Sequence, residues 1–174
     1  DTHFYPLGSC TMKYNPKLNE WAARLRGFAE LHPMAPDAAA QGTLQLLWEL
    51  EGALAEISGM RAVTLQPAAG AQGELAGVLM IRAYHRARGD TERTEVLVPD
   101  SSHGTNPATA SMAGYTTITI PSAPDGGVDV EAFEAALGPR TAAVMITNPS
   151  TLGLFERRIG HLLEHVHEAG ALAY

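Results

Sequence analysis

Apolar side chains recur at helical spacing in one long stretch near the start of the chain. Between Gln41 and Ser58 they occupy positions 44, 47, 48, 50, 54 and 57. Positions three and four apart share a helix face, so the pattern predicts an amphipathic helix that ends near Gly59. Residues 1–19 are rich in Pro, Gly and Asn without a period, which predicts an extended arm, and residues 20–31 favour a short helix.

The rest of the chain alternates between short apolar runs and helical stretches. The pattern predicts strands at 62–67, 95–99, 115–120, 141–147 and 171–174, and helices at 72–88, 105–114, 129–137 and 158–169. Asp129 is a typical N-cap for the helix that follows it. Strands separated by helices indicate an α/β fold with a mostly parallel sheet. Ligands of such sheets bind beyond the carboxyl ends of the strands, so residues directly after each strand are candidates for function.

Composition narrows the function classes. The 174 residues are 45% hydrophobic and 18% charged, which suits a buried core. The net charge of −7 argues against a nucleic-acid partner, and no apolar run approaches the roughly 20 residues of a membrane span. A single cysteine, Cys10, excludes an internal disulfide framework and fits a reducing compartment.

Three loops carry candidate chemistry. In Ala68–Glu74, small side chains and the free N–H groups of a helix start favour an anion such as phosphate, although close helix–strand packing would need the same residues. After strand 95–99, His103 could lie over a planar ligand or exchange a proton, or the loop could simply cap the next helix.

The third loop begins with Thr147 and Asn148, which could present hydrogen bonds to a ligand or form an ordinary turn. The arm segment 7–13 is dense in polar side chains and suggests a polar substrate nearby, or a plain surface arm. Cys10 has no base paired with it in sequence, so it is not expected to act as a nucleophile.

Residues 161–165 match the zinc-protease pattern H-x-x-E-H, and the spacing places both imidazoles on one helical face. The sequence offers no clear third ligand, and polar residues are expected on the solvent side of this helix. We therefore expect no metal site.

Four stretches together resemble the glycine decarboxylase P-protein family of the glycine cleavage system. They are DTHFYPLGSCTMKYNPKLNE (1–20), LQPAAGAQGELAG (65–77), VPDSSHGTNPATASMAGY (98–115) and TNPSTLGLFE (147–156). They keep their order and span most of the chain. The likeness is to the C-terminal half of that protein, or to its second subunit where the enzyme is split.

The resemblance implies the fold of aminotransferase-like (fold type I) pyridoxal-phosphate (PLP) enzymes, with residues 1–40 as arm and short helix and 41–174 as the front part of the large, PLP-binding domain. It implies decarboxylation of glycine and transfer of the aminomethyl group to the lipoyl arm of the H-protein. It also implies a companion P-protein subunit or half in an oligomer, and a location in the cytoplasm, or in the mitochondrial matrix of a eukaryote.

The resemblance also assigns residues. Gly70, Ala71 and Gln72 match the phosphate-binding turn, and His103 matches the residue that stacks on the cofactor ring. Thr147 and Asn148 fall where such enzymes contact the ring hydroxyl. Ser9, Cys10 and Thr11 belong to the arm motif, expected near the substrate.

The only lysines, Lys13 and Lys17, do not match the family's cofactor lysine, which is expected beyond Tyr174. The chain is therefore expected to be a fragment that is inactive alone. Another fold type I PLP enzyme, or a non-catalytic structural subunit of one, remains an alternative.

Overall fold

A computed structural model describes residues 16–174, which fall into two compact units. The first unit ends at Leu65, and the second is Gln66–Tyr174. The arm residues Ser9, Cys10 and Thr11 lie outside the described residues, so their expected place near a substrate stays a prediction.

Helices make up the described secondary structure of the first unit: α1 (Lys17–Ala23), α2 (Arg26–Ala29) and α3 (Asp37–Ser58). The predicted amphipathic helix is confirmed as α3. It begins four residues earlier than expected, after Pro36, and it ends at Gly59 with a φ of 68°, a left-handed conformation that glycine adopts without strain. The single short helix expected over 20–31 is instead the pair α1 and α2.

None of the described side chains of the first unit is buried. Most of the large apolar residues of α3 face solvent, among them Trp48 at 74% exposure and Ile57 at 80%. The N–H group of Leu65 donates to Oε1 of Glu51 at 3.3 Å, which fixes the segment after α3 against that helix.

The second unit alternates helices and strands around a four-stranded sheet. Its elements are α4 (Gly70–Ala87), β1 (Glu95–Pro99), α5 (Thr105–Met112), β2 (Thr116–Ile120), α6 (Val130–Ala136), β3 (Thr141–Val144), α7 (Ile159–Glu168) and β4 (Leu172–Ala173). The strand order is β2-β1-β3-β4, and all three pairings are parallel. The predicted α/β fold with a parallel sheet is confirmed.

One predicted strand is wrong. Residues 62–67 (AVTLQP) form neither strand nor helix, and the boundary between the two units falls within them. A short apolar run becomes a strand only where a neighbouring strand pairs with it, and the sequence pattern cannot show whether such a neighbour exists. The small-residue loop that follows therefore does not continue a strand.

The sheet separates two apolar layers. Along β1, Val96 and Val98 pack with residues of α4 and α5, whereas Leu97 packs with residues of α6 and α7. Successive side chains of a strand point to opposite faces, which accounts for this division. The second layer contains Phe133 at 1% and Val166 at 0% exposure.

Polar contacts fix the helices on the sheet. The Asp129 carboxylate accepts the Ala132 N–H at 3.0 Å, which confirms it as the N-cap of α6. On α4, Nε2 of the buried His85 lies 2.8 Å from the carbonyl oxygen of Ala142, to which it donates. The Arg93 guanidinium donates to the carbonyl oxygens of Thr141 and Ala169, so it joins the start of β3 to the end of α7.

Across residues 16–174, we find no helix with the length and apolar character that crossing a membrane requires.

Candidate functional site

Helix α4 begins with the three residues expected to bind an anion. Gly70, Ala71 and Gln72 are all exposed, and Ala69 precedes them in extended conformation. The first N–H groups of a helix have no carbonyl within the helix to bond to, and the helix dipole adds positive potential there. A Cβ atom at Gly70 would meet nothing within 4 Å, so the space beside its backbone is open.

A series of side-chain hydrogen bonds connects α4 to the loop that carries His103. The Thr105 hydroxyl donates to Oε2 of Glu74, a buried residue of α4, at 3.2 Å. The same hydroxyl oxygen lies 2.8 Å from Nδ1 of His103. The Thr105 N–H donates to the same Nδ1 at 3.2 Å, so Nδ1 is the acceptor in that contact. The imidazole is exposed and held by this one edge, which leaves its flat faces and Nε2 for a ligand.

Glu74 was not expected to be part of the site. Its second oxygen, Oε1, is buried without a hydrogen-bond partner in the structure. Nearby, the Tyr174 ring packs against Gly77 so closely that a Cβ atom there would lie 2.5 Å from Cε2. Burial raises the pKa of the Tyr174 hydroxyl, and the negative charge of Glu74 raises it further. The sequence signal was a lone carboxylate in a run of small residues at a helix start.

A cavity of about 510 Å³ opens beyond the carboxyl ends of β1 and β3. Thr147 lines it together with Ser101 and Ser102. The other lining residues come from Pro99, the turn 125–128, Ile146, Ser150 and 153–158. Thr147 thus lies in a cavity where the topology of a parallel sheet predicts ligands. Asn148, His103 and the start of α4 do not line it.

Asn148 contributes to the shape of this wall. Its Oδ1 accepts the Glu156 N–H at 2.9 Å, which closes the loop after β3 on itself. The carbonyl end of this amide is therefore engaged within the protein, and the amide N–H groups are the donors left for a ligand.

Glu156 is the buried anchor of the cavity wall. Its carboxylate accepts the N–H groups of Val128 and Arg158, each at 2.8 Å, and the Arg158 side chain donates to the carbonyl oxygen of Val128 at 2.9 Å. Burial favours the neutral acid, but the hydrogen bonds from Val128 and Arg158, with the charge of Arg158, lower the pKa of Glu156 below its ordinary value. The wall is thus held by an ionised carboxylate.

Two further features lie in the segments that line the cavity or directly adjoin them. Gly126 has a φ of 83°, and a Cβ atom there would lie 2.5 Å from Cδ1 of Leu154, so both conformation and space require glycine. The Asp100 carboxylate accepts hydrogen bonds from the hydroxyl and N–H groups of Ser122. The hydroxyl bond is the main cause that lowers the pKa of Asp100.

Curated relatives match the chain from end to end. It is 61% identical over 174 residues to the probable glycine dehydrogenase (decarboxylating) subunit 2 of Methylococcus capsulatus, and 59% identical over 174 residues to that of Nitrosococcus oceani. Each match covers 100% of this chain and 36% of the relative, so the chain spans about a third of the length of these proteins. No protein-family model matches the chain.

Solved structures similar to this chain identify its fold. A glycine decarboxylase (P-protein) of the glycine cleavage system, in inhibitor-bound form, superposes with a TM-score of 0.72 at 28% identity over 91% of this chain and 34% of that one. The Oryza sativa protein TDC, solved with PLP, gives a TM-score of 0.68 at 16% identity over 88% of this chain and 38% of that one. The expected fold type I is confirmed.

Proposed function

Because the chain is homologous over its whole length to one stretch of glycine dehydrogenase (decarboxylating) subunit 2, we propose that it is the front part of the cofactor domain of a PLP-dependent glycine decarboxylase. The protein to which it belongs decarboxylates glycine and passes the aminomethyl group to the lipoyl arm of the H-protein. The identity of 59–61% to two curated relatives over all 174 residues is the observation that carries this proposal.

The residues present fit a phosphorylated aromatic cofactor. The open space beside Gly70 lies at the start of an 18-residue helix whose N–H groups suit a phosphate. His103 offers an exposed ring that is held at one edge only. Since Thr105 reaches both Glu74 on α4 and His103, the phosphate-binding turn and the ring lie at adjoining places in the fold.

The chemistry that PLP supplies when bound is that of an electron sink for the bond broken in decarboxylation. This chain contributes binding and orientation. The N–H groups at Gly70, Ala71 and Gln72 bind the phosphate, and the His103 ring stacks on the cofactor plane. Thr147 and Asn148 donate hydrogen bonds to the ring hydroxyl, which the exposed threonine and the free amide N–H groups support.

Glu74 and Thr105 act as positioning residues for His103. Glu74 accepts the Thr105 hydroxyl proton, and both the N–H and the hydroxyl group of Thr105 lie within hydrogen-bond distance of Nδ1, so the imidazole is held in one orientation. Catalysis gains from groups held in place before the substrate binds.

Partners follow from the same homology. The subunit 2 relatives support a companion subunit, and glycine and the lipoyl H-protein complete the reaction. Ser9, Cys10 and Thr11 are proposed to lie on the substrate side, on the strength of their motif. The single cysteine supports a reducing compartment, either the cytoplasm or a mitochondrial matrix.

The complete protein that carries this chain tests the proposal through His103→Ala. Loss of a stacked ring is worth about 1 kcal/mol, so the Kd for PLP should rise roughly fivefold and the absorbance of the bound cofactor should change. His103→Phe keeps a planar ring without the bond to Thr105, and should retain more PLP affinity than the alanine variant.

His167→Ala is the matched control, because His167 is an exposed imidazole on α7. It should leave PLP binding and glycine–bicarbonate exchange unchanged. An unchanged cofactor spectrum together with unchanged exchange in His103→Ala would refute the stacking role. The proposed function would be refuted if the complete wild-type protein showed no exchange activity in the presence of its companion subunit and the H-protein.

A further inference from the structure

Two imidazoles and one carboxylate meet on the surface of the second unit. His161 and His165 lie one turn apart on α7, and Glu134 belongs to α6. Nε2 of His161 is 3.1 Å from Oε1 of Glu134, and Nδ1 of His165 is 3.0 Å from the same oxygen. The two ring centroids are 4.2 Å apart, and the three possible ligand atoms all lie within 4.8 Å of one another.

We propose that this cluster binds a divalent transition metal, with Zn²⁺ as the occupant that its chemistry fits best. Imidazole nitrogen and carboxylate oxygen are ligands that zinc accepts in a tetrahedral arrangement. With metal–ligand bonds of about 2.0–2.1 Å, two ligands of a tetrahedral site lie about 3.3 Å apart. Both nitrogen–oxygen distances are close to that spacing before any metal enters.

The third ligand could not be identified from the sequence pattern. The pattern H-x-x-E-H contains Glu164, but Glu164 is not among the three clustered residues. Glu134 takes the place instead, from a helix 27 positions earlier. The folding of α6 and α7 onto the same apolar layer brings the carboxylate to the histidine pair.

The three ligands are carried by anchored elements. Phe133, next to Glu134, is 1% exposed, and Leu162 and Val166, which follow His161 and His165, are 2% and 0% exposed. The ligand side chains themselves are about one third to one half exposed, so a water molecule can complete the coordination. Three protein ligands with one open position are the pattern of zinc sites that retain exchangeable water.

An ion pair without a metal would use the same three residues. Without a metal, Oε1 of Glu134 would accept an N–H group from each imidazole, because a carboxylate oxygen has two lone pairs. The two arrangements differ in a measurable way, because only a bound metal gives a defined stoichiometry and a ligand-field spectrum.

Occupation of the site would connect α6 to α7. The structure holds these helices together through their buried apolar faces, and a shared metal would add bonds between their exposed faces. A ligand that binds only the folded state stabilises it by mass action, so zinc should raise the unfolding temperature of the protein.

The experiment uses the complete, tag-free protein at neutral pH, with Co²⁺ as a spectroscopic substitute and Zn²⁺ in competition with a fluorescent chelator. We expect the wild type to bind one Co²⁺ per chain with a visible ligand-field band, which Zn²⁺ removes. His161→Ala, His165→Ala and Glu134→Gln should each weaken Zn²⁺ binding more than about tenfold, since each loses a metal bond.

Two further variants separate ligation from a change in folding. His167→Ala removes an exposed imidazole from the same helix outside the cluster, and should bind as the wild type does. His165→Cys replaces one zinc ligand by another, and should retain binding and add a thiolate-to-cobalt charge-transfer band.

Any of three results would overturn the proposal. The wild type could show no Co²⁺ or Zn²⁺ bound at this stoichiometry, the three ligand variants could bind as the wild type does, or His167→Ala could lose binding to the same extent. Circular dichroism of each variant, matched to the wild type, ensures that folded proteins are compared.

Discussion

The two units of the chain use similar apolar side chains in opposite ways. In the first, α3 extends over 22 residues and exposes Trp48, while none of the described side chains is buried. In the second, shorter helices bury Phe133 and Val166 against a parallel sheet. Helical periodicity therefore establishes that a helix has an apolar face, and it gives no information on what covers that face.

The largest expected difference between the units is in core energetics. Phe133→Ala should lower the free energy of unfolding by about 3–5 kcal/mol, because the ring is 1% exposed and leaves a cavity. Trp48→Ala removes a larger side chain, but it is 74% exposed and should change stability by no more than about 0.5 kcal/mol. Urea unfolding followed by circular dichroism measures both.

Equal losses in the two variants would contradict this contrast, since they would mean that Trp48 is packed as tightly as Phe133.

Glycine substitutions should give effects of opposite sign. Gly126→Ala introduces a Cβ atom at a φ of 83° and 2.5 Å from Leu154, and should destabilise the fold by about 1–3 kcal/mol. Gly52→Ala lies within α3 with nothing within 4 Å of the added atom, and should stabilise by roughly 0.5–1 kcal/mol. Thermal unfolding of the two variants beside the wild type gives the signs directly, and a gain at Gly126 would be incompatible with the described turn.

The smallest expected effect concerns pH. The folded-state pKa of Glu156 lies below its ordinary value of 4.5, so its stabilising contribution is present above that value and is lost as pH falls through the folded pKa. Glu156→Gln should therefore flatten the acid side of a stability–pH profile measured by urea unfolding. If the free energy of unfolding fell as steeply at low pH in the variant as in the wild type, the loss of stability in acid would come from other carboxylates.

Local signals made much of the fold predictable. The apolar run Glu95–Pro99 gave β1 with its observed bounds, and Asp129 marked the start of α6 because a cap depends on residues a few positions apart. The strand expected at 62–67 failed for the opposite reason, since strand formation depends on a partner far along the chain.

The residues of the candidate site also divide into those that a local motif marks and those that only the fold brings together. Gly70 and His103 stand in segments that a motif marks, so the sequence could nominate them. Glu74 meets Thr105 across 31 positions, and Glu134 meets His161 across 27, through packing that no spacing rule encodes. Groups that act together across such separations become visible only when the fold is known.

The alternation of side chains along β1 has a consequence for how this sequence can change. Val96 and Leu97 are neighbours along the chain, yet they belong to different apolar layers. A volume lost at Leu97 can be compensated by residues of its own layer, such as Phe133 or Leu162, whereas Val96 should respond independently. Among descendants of this sequence, residues on the same face of the sheet should therefore covary, and residues adjacent along the strand should not.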